Sequence, residues 1–399
     1  MSVPAPKHRL GDLAAFVSGG TPSKQIAAYW DGDTPWVSAK DLKSFRISSS
    51  IDTLSNEGRK VASLVPSETL LILVRGMSLF KSIPLGIATQ ELAINQDLKG
   101  LIAKGNVSAS FLAYSLLARE NALLQMVEAA GHGTGRLDTD ALKDFMVRVP
   151  PREEQEGIVD VLATWDTAIE RTNQLIATNE SHYTYELFRL ISQGKHDRSH
   201  VGNFAHEVSE RNRSSAWRRV TLANIATVWK GQQLNKDAMI EDGTYYVLNG
   251  GIGPSGRTTS WNCEANTITV SEGGNSCGFV NFNRENFWCG GHCYALRNLY
   301  ANIDVHYLFH YMKGRQNQLM TLRVGSGLPN IQKAGIESFS VVLPDLGRQA
   351  AIARYLNALR EEITTLGAYV EKLKGQKHGL MQKLLTGQWR VKVSGEDNK

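Results

Sequence analysis

Residues 145–155 read Phe-Met-Val-Arg-Val-Pro-Pro-Arg-Glu-Glu-Gln, and residues 339–349 read Phe-Ser-Val-Val-Leu-Pro-Asp-Leu-Gly-Arg-Gln. In both stretches apolar residues alternate, a proline ends the alternation, and a glutamine follows five residues later. Alternation predicts a strand, and the proline predicts its end, with a helix beginning directly afterwards. The chain therefore contains the same strand–proline–helix unit twice.

Both predicted helices carry apolar residues at steps that alternate between four and three. The inward positions are Ile158, Leu162, Trp165, Ile169, Thr172, Ile176, Asn179 and Tyr183 in the first helix, and Ile352, Leu356, Leu359, Ile363, Leu366, Val370, Leu373 and Lys377 in the second. This spacing is typical of a coiled-coil seam. Two unrelated amphipathic helices on separate cores are the alternative, which the matching register disfavours. A helix over residues 153–191 would be about 55 Å long and needs a long partner, for which the other copy is the obvious candidate. We expect the two helices to pair antiparallel if a pseudo-twofold axis relates the two halves.

The beginnings of the two halves also repeat. Leu10, Leu13, Phe16 and Gly19 recur at one constant offset as Leu222, Ile225, Val228 and Gly231. Each set predicts a short amphipathic helix that ends at the glycine. By contrast, residues 20–130 and 232–322 show no detectable similarity. A repeated frame with different contents implies one scaffold that presents two different binding surfaces.

Composition and motifs narrow the class of protein. The 399 residues carry a formal net charge of +5, which permits a nucleic-acid partner without demanding one. The chain has neither an apolar stretch of membrane-spanning length nor a signal-peptide core, so we expect it in the cytoplasm. We find no Asn-Pro-Pro-Tyr motif of an adenine methyltransferase, no P-loop of a motor and no acidic cluster with lysine of a nuclease. We therefore assign no catalytic residue.

The cysteines raise the question of zinc. Cys263, Cys277, Cys289 and Cys293, with His292, supply enough ligands. Their spacing lacks a C-x2-C knuckle, although Cys289 and Cys293 stand four residues apart. We expect free thiols and assign no metal site.

Three further stretches give the chain a specific resemblance. They are Gly20-Thr21-Pro22-Ser23-Lys24, then Pro35-Trp36-Val37-Ser38 followed by Asp41-Leu42, and Asn95-Gln96-Asp97-Leu98-Lys99-Gly100-Leu101. Together with the duplicated unit, and over about residues 9–390, the chain resembles the specificity subunits of Type I restriction-modification systems. The resemblance implies an α+β fold. Two β-rich target-recognition domains with pseudo-twofold symmetry would be separated by an antiparallel coiled coil of two long helices.

The resemblance also implies a division of the chain. The boundaries are residues 1–150 for the first target-recognition domain, 151–193 for the first spacer helix, 194–216 for a linker, 217–344 for the second target-recognition domain, 345–388 for the second spacer helix and 389–399 for a tail. In the second copy, Gly347 and Arg348 replace Glu153 and Glu154 of the first, which removes the basis for one shared contact there.

The same resemblance implies a function and partners. Each domain would read one half of a split site in double-stranded DNA. The helices would set the spacing and dock two methyltransferase subunits, which motor-nuclease (restriction) subunits then join. A spacer of about 50 Å is comparable to one or two turns of duplex at about 34 Å per turn. The chain itself would be non-catalytic and without a cofactor, whereas its partners would use S-adenosylmethionine, ATP and magnesium.

Candidate DNA-contacting residues are polar or basic side chains in the two dissimilar regions. Base reading needs paired donors and acceptors, and phosphate contacts come from lysine, arginine, serine and threonine. We select Thr21, Ser23, Lys24, Ser38, Lys40, Arg75 and Lys81 in the first domain, and Asn249, Ser255, Arg257, Asn275, Ser276 and Arg323 in the second. The candidate residues for helix pairing and partner docking are Ile158, Leu162, Trp165, Ile169, Ile176, Ile352, Leu356, Leu359, Ile363 and Val370.

Two other classes of protein stay open on the residues alone. A β-rich carbohydrate- or protein-binding adaptor with a coiled-coil spacer fits the loops rich in glycine, asparagine and aromatic residues. A metal-dependent nuclease is the third hypothesis, and it predicts that the purified chain cuts DNA with magnesium. The duplicated frame favours the specificity subunit.

Overall fold

The computed structural model of the chain describes residues 5–191, 217–325 and 329–391. Its contacts divide the chain into unit 1, which comprises Met1–Thr172 with Tyr369–Lys399, and unit 2, which comprises Asn173–Ala368. The predicted linker at 194–216, residues 326–328 and most of the predicted tail at 389–399 lie outside the described residues.

Unit 1 is built from short strands in several small sheets. The strands are β1 (Lys7–Arg9), β2 (Ala14–Ser18), β3 (Trp30–Val37), β4 (Arg46–Ile47), β5 (Asp52–Leu54), β6 (Leu64–Val65), β7 (Leu70–Leu73), β8 (Arg75–Gly76), β9 (Leu85–Ala88), β10 (Leu92–Ile94), β11 (Leu98–Ala103), β12 (Val127–Ala130), β13 (Thr134–Leu137) and β14 (Met146–Arg148). They form the sheets β1-β14, β5-β3-β10-β6, β2-β11-β7-β9-β4 and β12-β13-β8.

The helices of unit 1 cover its sheets and close its core. They are α1 (Leu10–Leu13), α2 (Asn56–Val61), α3 (Ala109–Leu117), α4 (Glu120–Leu124), α5 (Thr139–Asp144) and the beginning of α6 (Arg152–Ile191). The continuous apolar run of β7 is buried along its whole length, as expected of a central strand. Ile158 and Leu162 of α6 belong to the same core.

Unit 2 repeats this construction with fewer strands among its described residues. They are β15 (Arg218–Thr221), β16 (Thr227–Lys230), β17 (Tyr245–Leu248), β18 (Gly256–Thr258), β19 (Thr267–Ser271), β20 (Val280–Asn283), β21 (Trp288–Cys289), β22 (Cys293–Arg297) and β23 (Ser340–Leu343). They form the sheets β15-β23, β16-β22-β19-β20 and β18-β17-β21. The helices are α7 (Val305–Gly314), α8 (Gln316–Thr321), α9 (Lys333–Glu337) and most of α10 (Leu346–Thr386).

The two units share a sheet order that the sequence did not reveal. The order β2-β11-β7-β9 in unit 1 matches β16-β22-β19-β20 in unit 2, and β1-β14 matches β15-β23. The interiors nevertheless look dissimilar as sequences. A strand ladder is held by backbone groups, so different side chains are compatible with one order of strands.

The prediction of a short amphipathic helix at each beginning is wrong. Residues 10–13 form only one helical turn, and residues 14–18 are strand β2, which pairs with β11. In unit 2, Leu222–Asn224 form a 3-10 turn before β16, which pairs with β22. The apolar spacing is compatible with both structures over so short a segment, and the available ladder partner decides.

The repeated glutamine locks each long helix to its own unit. The Gln155 side chain donates to the carbonyls of Pro150 at 2.9 Å and Asn106 at 3.1 Å. The Gln349 side chain donates in the same way to Pro344 at 2.9 Å and Asn302 at 3.2 Å. Both glutamines are buried. The strand–proline–glutamine motif is therefore a structural joint in both copies.

Candidate nucleic-acid interface

The loop at residues 95–97 gathers three of the predicted residues of unit 1. The Asn95 amide donates at 3.0 Å to the Val37 carbonyl, which precedes Ser38. The Asp97 carbonyl accepts at 2.9 Å from the amide of Val74, which precedes Arg75. Its glutamine side chain bonds the hydroxyl of Thr21. The ends of β3, β7 and β10 thus bring Thr21, Ser38 and Arg75 to one edge.

Ser23 and Lys24 lie against two tryptophans. The Trp30 indole N–H donates to the Ser23 carbonyl at 3.2 Å. The Lys24 ammonium lies 5.4 Å from the ring centre of Trp30 and 5.6 Å from that of Trp36, within cation–π range. Trp36 is buried, whereas the Lys24 side chain is 66% exposed. The lysine is therefore held over the rings and still reaches solvent.

The remaining predicted residues of unit 1 differ in what they contact. Ser38 donates from its amide and its hydroxyl to the Asp41 carboxylate at 2.8 and 2.9 Å, so it holds a turn. Lys40 is exposed in the turn that follows β3. Lys81 is exposed after the 3-10 turn Met77–Phe80. These two lysines are free to contact an anion.

Arg75 has a neighbour that the sequence prediction omitted. Arg75 on β8 stands directly opposite Arg136 on β13, and both side chains are exposed. Arg136 also forms an ion pair with Asp138 at 3.2 Å. Like charges opposite each other destabilise a strand pair, and a phosphate or a guanine edge would offset that repulsion. In residues 133–137, small or apolar residues alternate with Thr134 and Arg136, as in a strand with one exposed face. That alternation was the signal that could have identified Arg136.

In unit 2, two predicted residues contact one turn. Ser276 donates to the carbonyl of Gly250 at 2.6 Å, and the Asn249 side chain accepts from the amide of His292 at 3.3 Å. Asn275 is exposed beside Ser276. Asn249, Asn275 and Ser276 are therefore brought together, although they are far apart in sequence.

The other three predicted residues of unit 2 are placed differently. Arg257 donates to the carbonyls of Gly243 at 2.5 Å and Thr244 at 2.9 Å, so its guanidinium already holds a loop. Ser255 donates to the carbonyl of Val247 at 3.2 Å within the same hairpin. Arg323 is exposed before a short bridge between Val324 and Asn330. Arg323 is the freest of the three to contact DNA.

The two long helices contact each other within unit 1. The Lys377 ammonium donates to the Asp166 carboxylate. Arg390, just after α10, donates to Glu154 near the start of α6 at 2.7 Å. A step forward along α6 thus corresponds to a step backward along α10. The helices run antiparallel, as predicted.

The same two helices also share a core within unit 2. Leu187 and Ile191 of α6 share one core with Leu356 and Ile352 of α10. The ten residues selected for helix pairing are buried or half-buried, and they are Ile158, Leu162, Trp165, Ile169, Ile176, Ile352, Leu356, Leu359, Ile363 and Val370. Their role in docking partners stays a prediction.

Comparison with known proteins identifies the family to which this fold belongs. A family model described as the Type I restriction modification DNA specificity domain matches residues 6–180 and 214–371. The chain belongs to this family. The fold of the chain is α+β, with two repeated β-rich domains and the long helix 152–191 between them along the sequence.

Individual relatives agree with this assignment. The chain is 30% identical over 161 residues to the Type I restriction enzyme EcoR124I/EcoR124II specificity subunit of Escherichia coli, a match that spans 40% of each protein. It is 22% identical over 413 residues to the MjaVIII specificity subunit of Methanocaldococcus jannaschii, covering 96% of this chain and 92% of the relative. The crystal structure of the Type I restriction-modification S subunit from M. genitalium matches 96% of each chain with a TM-score of 0.63. At 16% identity, that last likeness concerns the fold.

The sequence prediction of DNA-contacting residues omitted one group in unit 2, which is centred on Glu272. Glu272 of unit 2 is 4% exposed and accepts from the Lys230 ammonium at 2.6 Å and the Tyr294 hydroxyl at 3.0 Å. Its other oxygen lies 3.5 Å from the His292 ring. One buried carboxylate therefore fixes two exposed basic side chains, Lys230 and His292. Lys230 precedes the repeated Gly231, and that position was the available signal.

The equivalent position in unit 1 has different chemistry. The Leu137 amide bonds the Val74 carbonyl at 2.9 Å, and the Ile331 amide bonds the Glu272 carbonyl at 2.8 Å. Because the strand order is the same in both units, Val74 of unit 1 and Glu272 of unit 2 stand at equivalent backbone positions. A buried valine in one unit thus replaces a buried carboxylate in the other. The two units therefore carry different side chains on the same framework.

The four cysteines are buried free thiols. Hydrogen bonds with Cys289 and with Arg297, whose guanidinium lies 3.1 Å from the sulfur, lower the pKa of Cys263 to about 7. Within the described ranges, no group of three His, Cys, Asp or Glu side chains is arranged to hold a metal ion. Nor does any described helix combine the length and apolar character needed to cross a bilayer.

Proposed function

We propose that the chain reads a split, asymmetric sequence in double-stranded DNA, with each unit reading one half. The observation that carries this proposal is the shared strand order with different side chains at equivalent positions, Val74 in unit 1 and Glu272 in unit 2. A repeated framework with different side chains is what two different half-sites require.

The chemistry of both surfaces suits this role. In unit 1, Arg75 and Arg136 offer two guanidinium forks side by side, and arginine is the commonest bidentate partner of guanine. In unit 2, Lys230 and His292 offer donors that Glu272 holds in place. Lys24, Lys40 and Lys81, three exposed lysines of unit 1, supply contacts to phosphate.

The long helices support a second part of the proposal. We infer that α6 and α10 dock two methyltransferase subunits, which motor-nuclease subunits join, and that they fix the spacing of the half-sites. The chain would contribute no catalytic group of its own. S-adenosylmethionine, ATP and magnesium would be used by the partner subunits.

The decisive experiment is methylation of a library of random DNA by the chain assembled with its methyltransferase subunits. We expect methyl groups at one interrupted sequence whose two halves differ. Methylation without regard to sequence would rule out the proposal. Retention of the chain on a glycan array, with no retention on DNA at low salt, would favour an adaptor instead.

A further inference from the structure

Unit 2 contains a small cavity at the junction of strand β20, helix α7 and helix α10. It has a volume of about 160 Å³, well above the roughly 10–15 Å³ that a single water needs. Phe279, Phe282 and Phe309 form its apolar walls, and Arg284, Lys313 and Arg360 supply its charges. No carboxylate side chain lines it.

The positive charges of this cavity lack a counter-ion. Lys313 donates to the carbonyl of Val280 at 3.0 Å and to the Gln316 side chain at 2.8 Å, both uncharged acceptors. Burial, and then the charge of Arg360, lower the pKa of Lys313 to about 8. In the part of the chain that the structure describes, no carboxylate pairs with Arg284, Lys313 or Arg360. Burial without a counter-ion therefore makes the protonated lysine less favourable than it is in water, although its ammonium also lies 3.7 Å from the ring centre of Phe279.

The same place in unit 1 contains its own anion. The repeated glutamines align Asp166 with Arg360 and Lys377 with Tyr183, and the caps Ser108 and Asp304 align Tyr114 with His310. In unit 1, Asp166 accepts from the Tyr114 hydroxyl at 2.7 Å and from Lys377.

In unit 2 the charge at this position is inverted. Arg360 lies 5.9 Å from the ring centre of Tyr183, and the neighbouring His310 is buried, with its pKa lowered to about 3 by burial. No carboxylate takes the place of Asp166 in the cavity lining. The anion that the chain supplies in one unit is missing in the other.

We propose that this cavity of unit 2 binds a phosphate group. A phosphate monoester carries a charge of about −1.5 to −2 near neutral pH and three strong acceptor oxygens, which suits two guanidinium forks and an ammonium better than a single carboxylate does. The group could come from free phosphate, or from a DNA backbone, whose phosphodiester carries one negative charge and two free oxygens. The proposal does not depend on sequence reading, because none of the candidate base-contacting residues lines the cavity.

The test is a calorimetric titration of the full chain with sodium phosphate, at an ionic strength held constant with sodium chloride. We expect saturable binding at one site. Arg360→Gln and Arg284→Gln should each weaken it at least tenfold. Arg354→Gln, which removes an exposed arginine from the same helix, is the matched control and should leave the affinity unchanged. An equal loss in the Arg354→Gln variant, or no saturable binding by the natural chain, would overturn the proposal.

A second measurement uses the natural chain, so its result cannot be confused with the unfolding of a variant. Phosphate should raise the pKa of Lys313 above its value of about 8, which carbon-13 NMR of the lysine side chains can follow. An unchanged pKa at saturating phosphate, or binding of acetate as tight as that of phosphate, contradicts the proposal. Competition with duplex DNA identifies the source. Displacement of phosphate by DNA indicates a backbone phosphate, whereas simultaneous binding indicates a free one.

Discussion

At the residue scale, the two buried glutamines have the clearest structural role. Each glutamine side chain accepts a hydrogen bond from a backbone amide at the start of a helix in its own unit. It also donates to two carbonyls, one of which belongs to the proline after the repeated strand. Gln349 accepts from Asp304 at 3.0 Å, and Gln155 accepts from Ser108 at 3.4 Å. The spacing of five residues after the proline is therefore set by a hydrogen-bond network and not by contact with DNA.

Replacing Gln349 with leucine should destabilise unit 2. The carbonyls of Pro344 and Asn302 and the amide of Asp304 would lose their partner, at a cost of about 2–4 kcal/mol in the free energy of unfolding. Native-state hydrogen exchange of amides in unit 2 measures this. Gln376→Leu, at an exposed position of the same helix, is the control. A loss no larger than that of the control would show that the network is dispensable.

His310 makes the stability of unit 2 depend on pH. Its ring is buried between Tyr183 and Asn357, each at 2.9 Å, and burial lowers its pKa from 6.5 to about 3. The unfolded chain takes up this proton below about pH 6.5 while the folded chain does not. The stability is therefore fully present above that pH and is lost as the pH falls towards 3.

Between pH 7 and pH 5 this group should remove about 2 kcal/mol from the free energy of unfolding of unit 2, at about 1.4 kcal/mol per pH unit. Hydrogen exchange at the two pH values gives the difference. A His310→Gln variant keeps polar partners and should show a weaker pH dependence. If both proteins respond alike, another group is responsible.

At the scale of elements, α6 and α10 illustrate how a narrow apolar seam is buried. Leu356 is fully buried in the core of unit 2, whereas Leu346 on the same helix is 45% exposed. The four-three spacing predicts this contrast, because only the seam positions face the partner helix and the sheets.

Truncation of a seam residue should therefore cost much more than truncation of an exposed leucine. We expect Leu356→Ala to lower the free energy of unfolding of unit 2 by about 2–5 kcal/mol, and Leu346→Ala by much less, because only the first leaves a cavity. Urea unfolding followed by tryptophan fluorescence compares the two variants. Similar losses would mean that Leu356 is not a core position.

At the scale of the whole molecule, the chain combines one framework with two chemical surfaces. Unit 1 exposes the Arg75–Arg136 pair, and unit 2 exposes Lys230 and His292 around Glu272. Each surface should consequently act on its own half of the DNA site.

Single substitutions should separate the two halves. Arg136→Ala should relax the sequence preference in one half only, and Lys230→Ala in the other, by about 1–3 kcal/mol for each lost base contact. Sequencing of methylated products from a random library measures both. If Arg136 contacts phosphate instead, the salt slope of DNA affinity should fall by about 0.9 while the preference stays the same. A change in both halves from one substitution would contradict the assignment of one half to each unit.

The sequence by itself determined the repeated frame, the two long helices and their antiparallel pairing. Periodic apolar positions and a proline act locally, so they can be recognised without coordinates. It left out Arg136, Lys230 and Glu272, because strand pairing brings these side chains together across long stretches of chain. Only the tertiary structure showed that Val74 and Glu272 share a position and that Arg360 has lost the anion its counterpart provides. Equivalence between dissimilar sequences is carried by backbone hydrogen bonds, which every residue but proline can make.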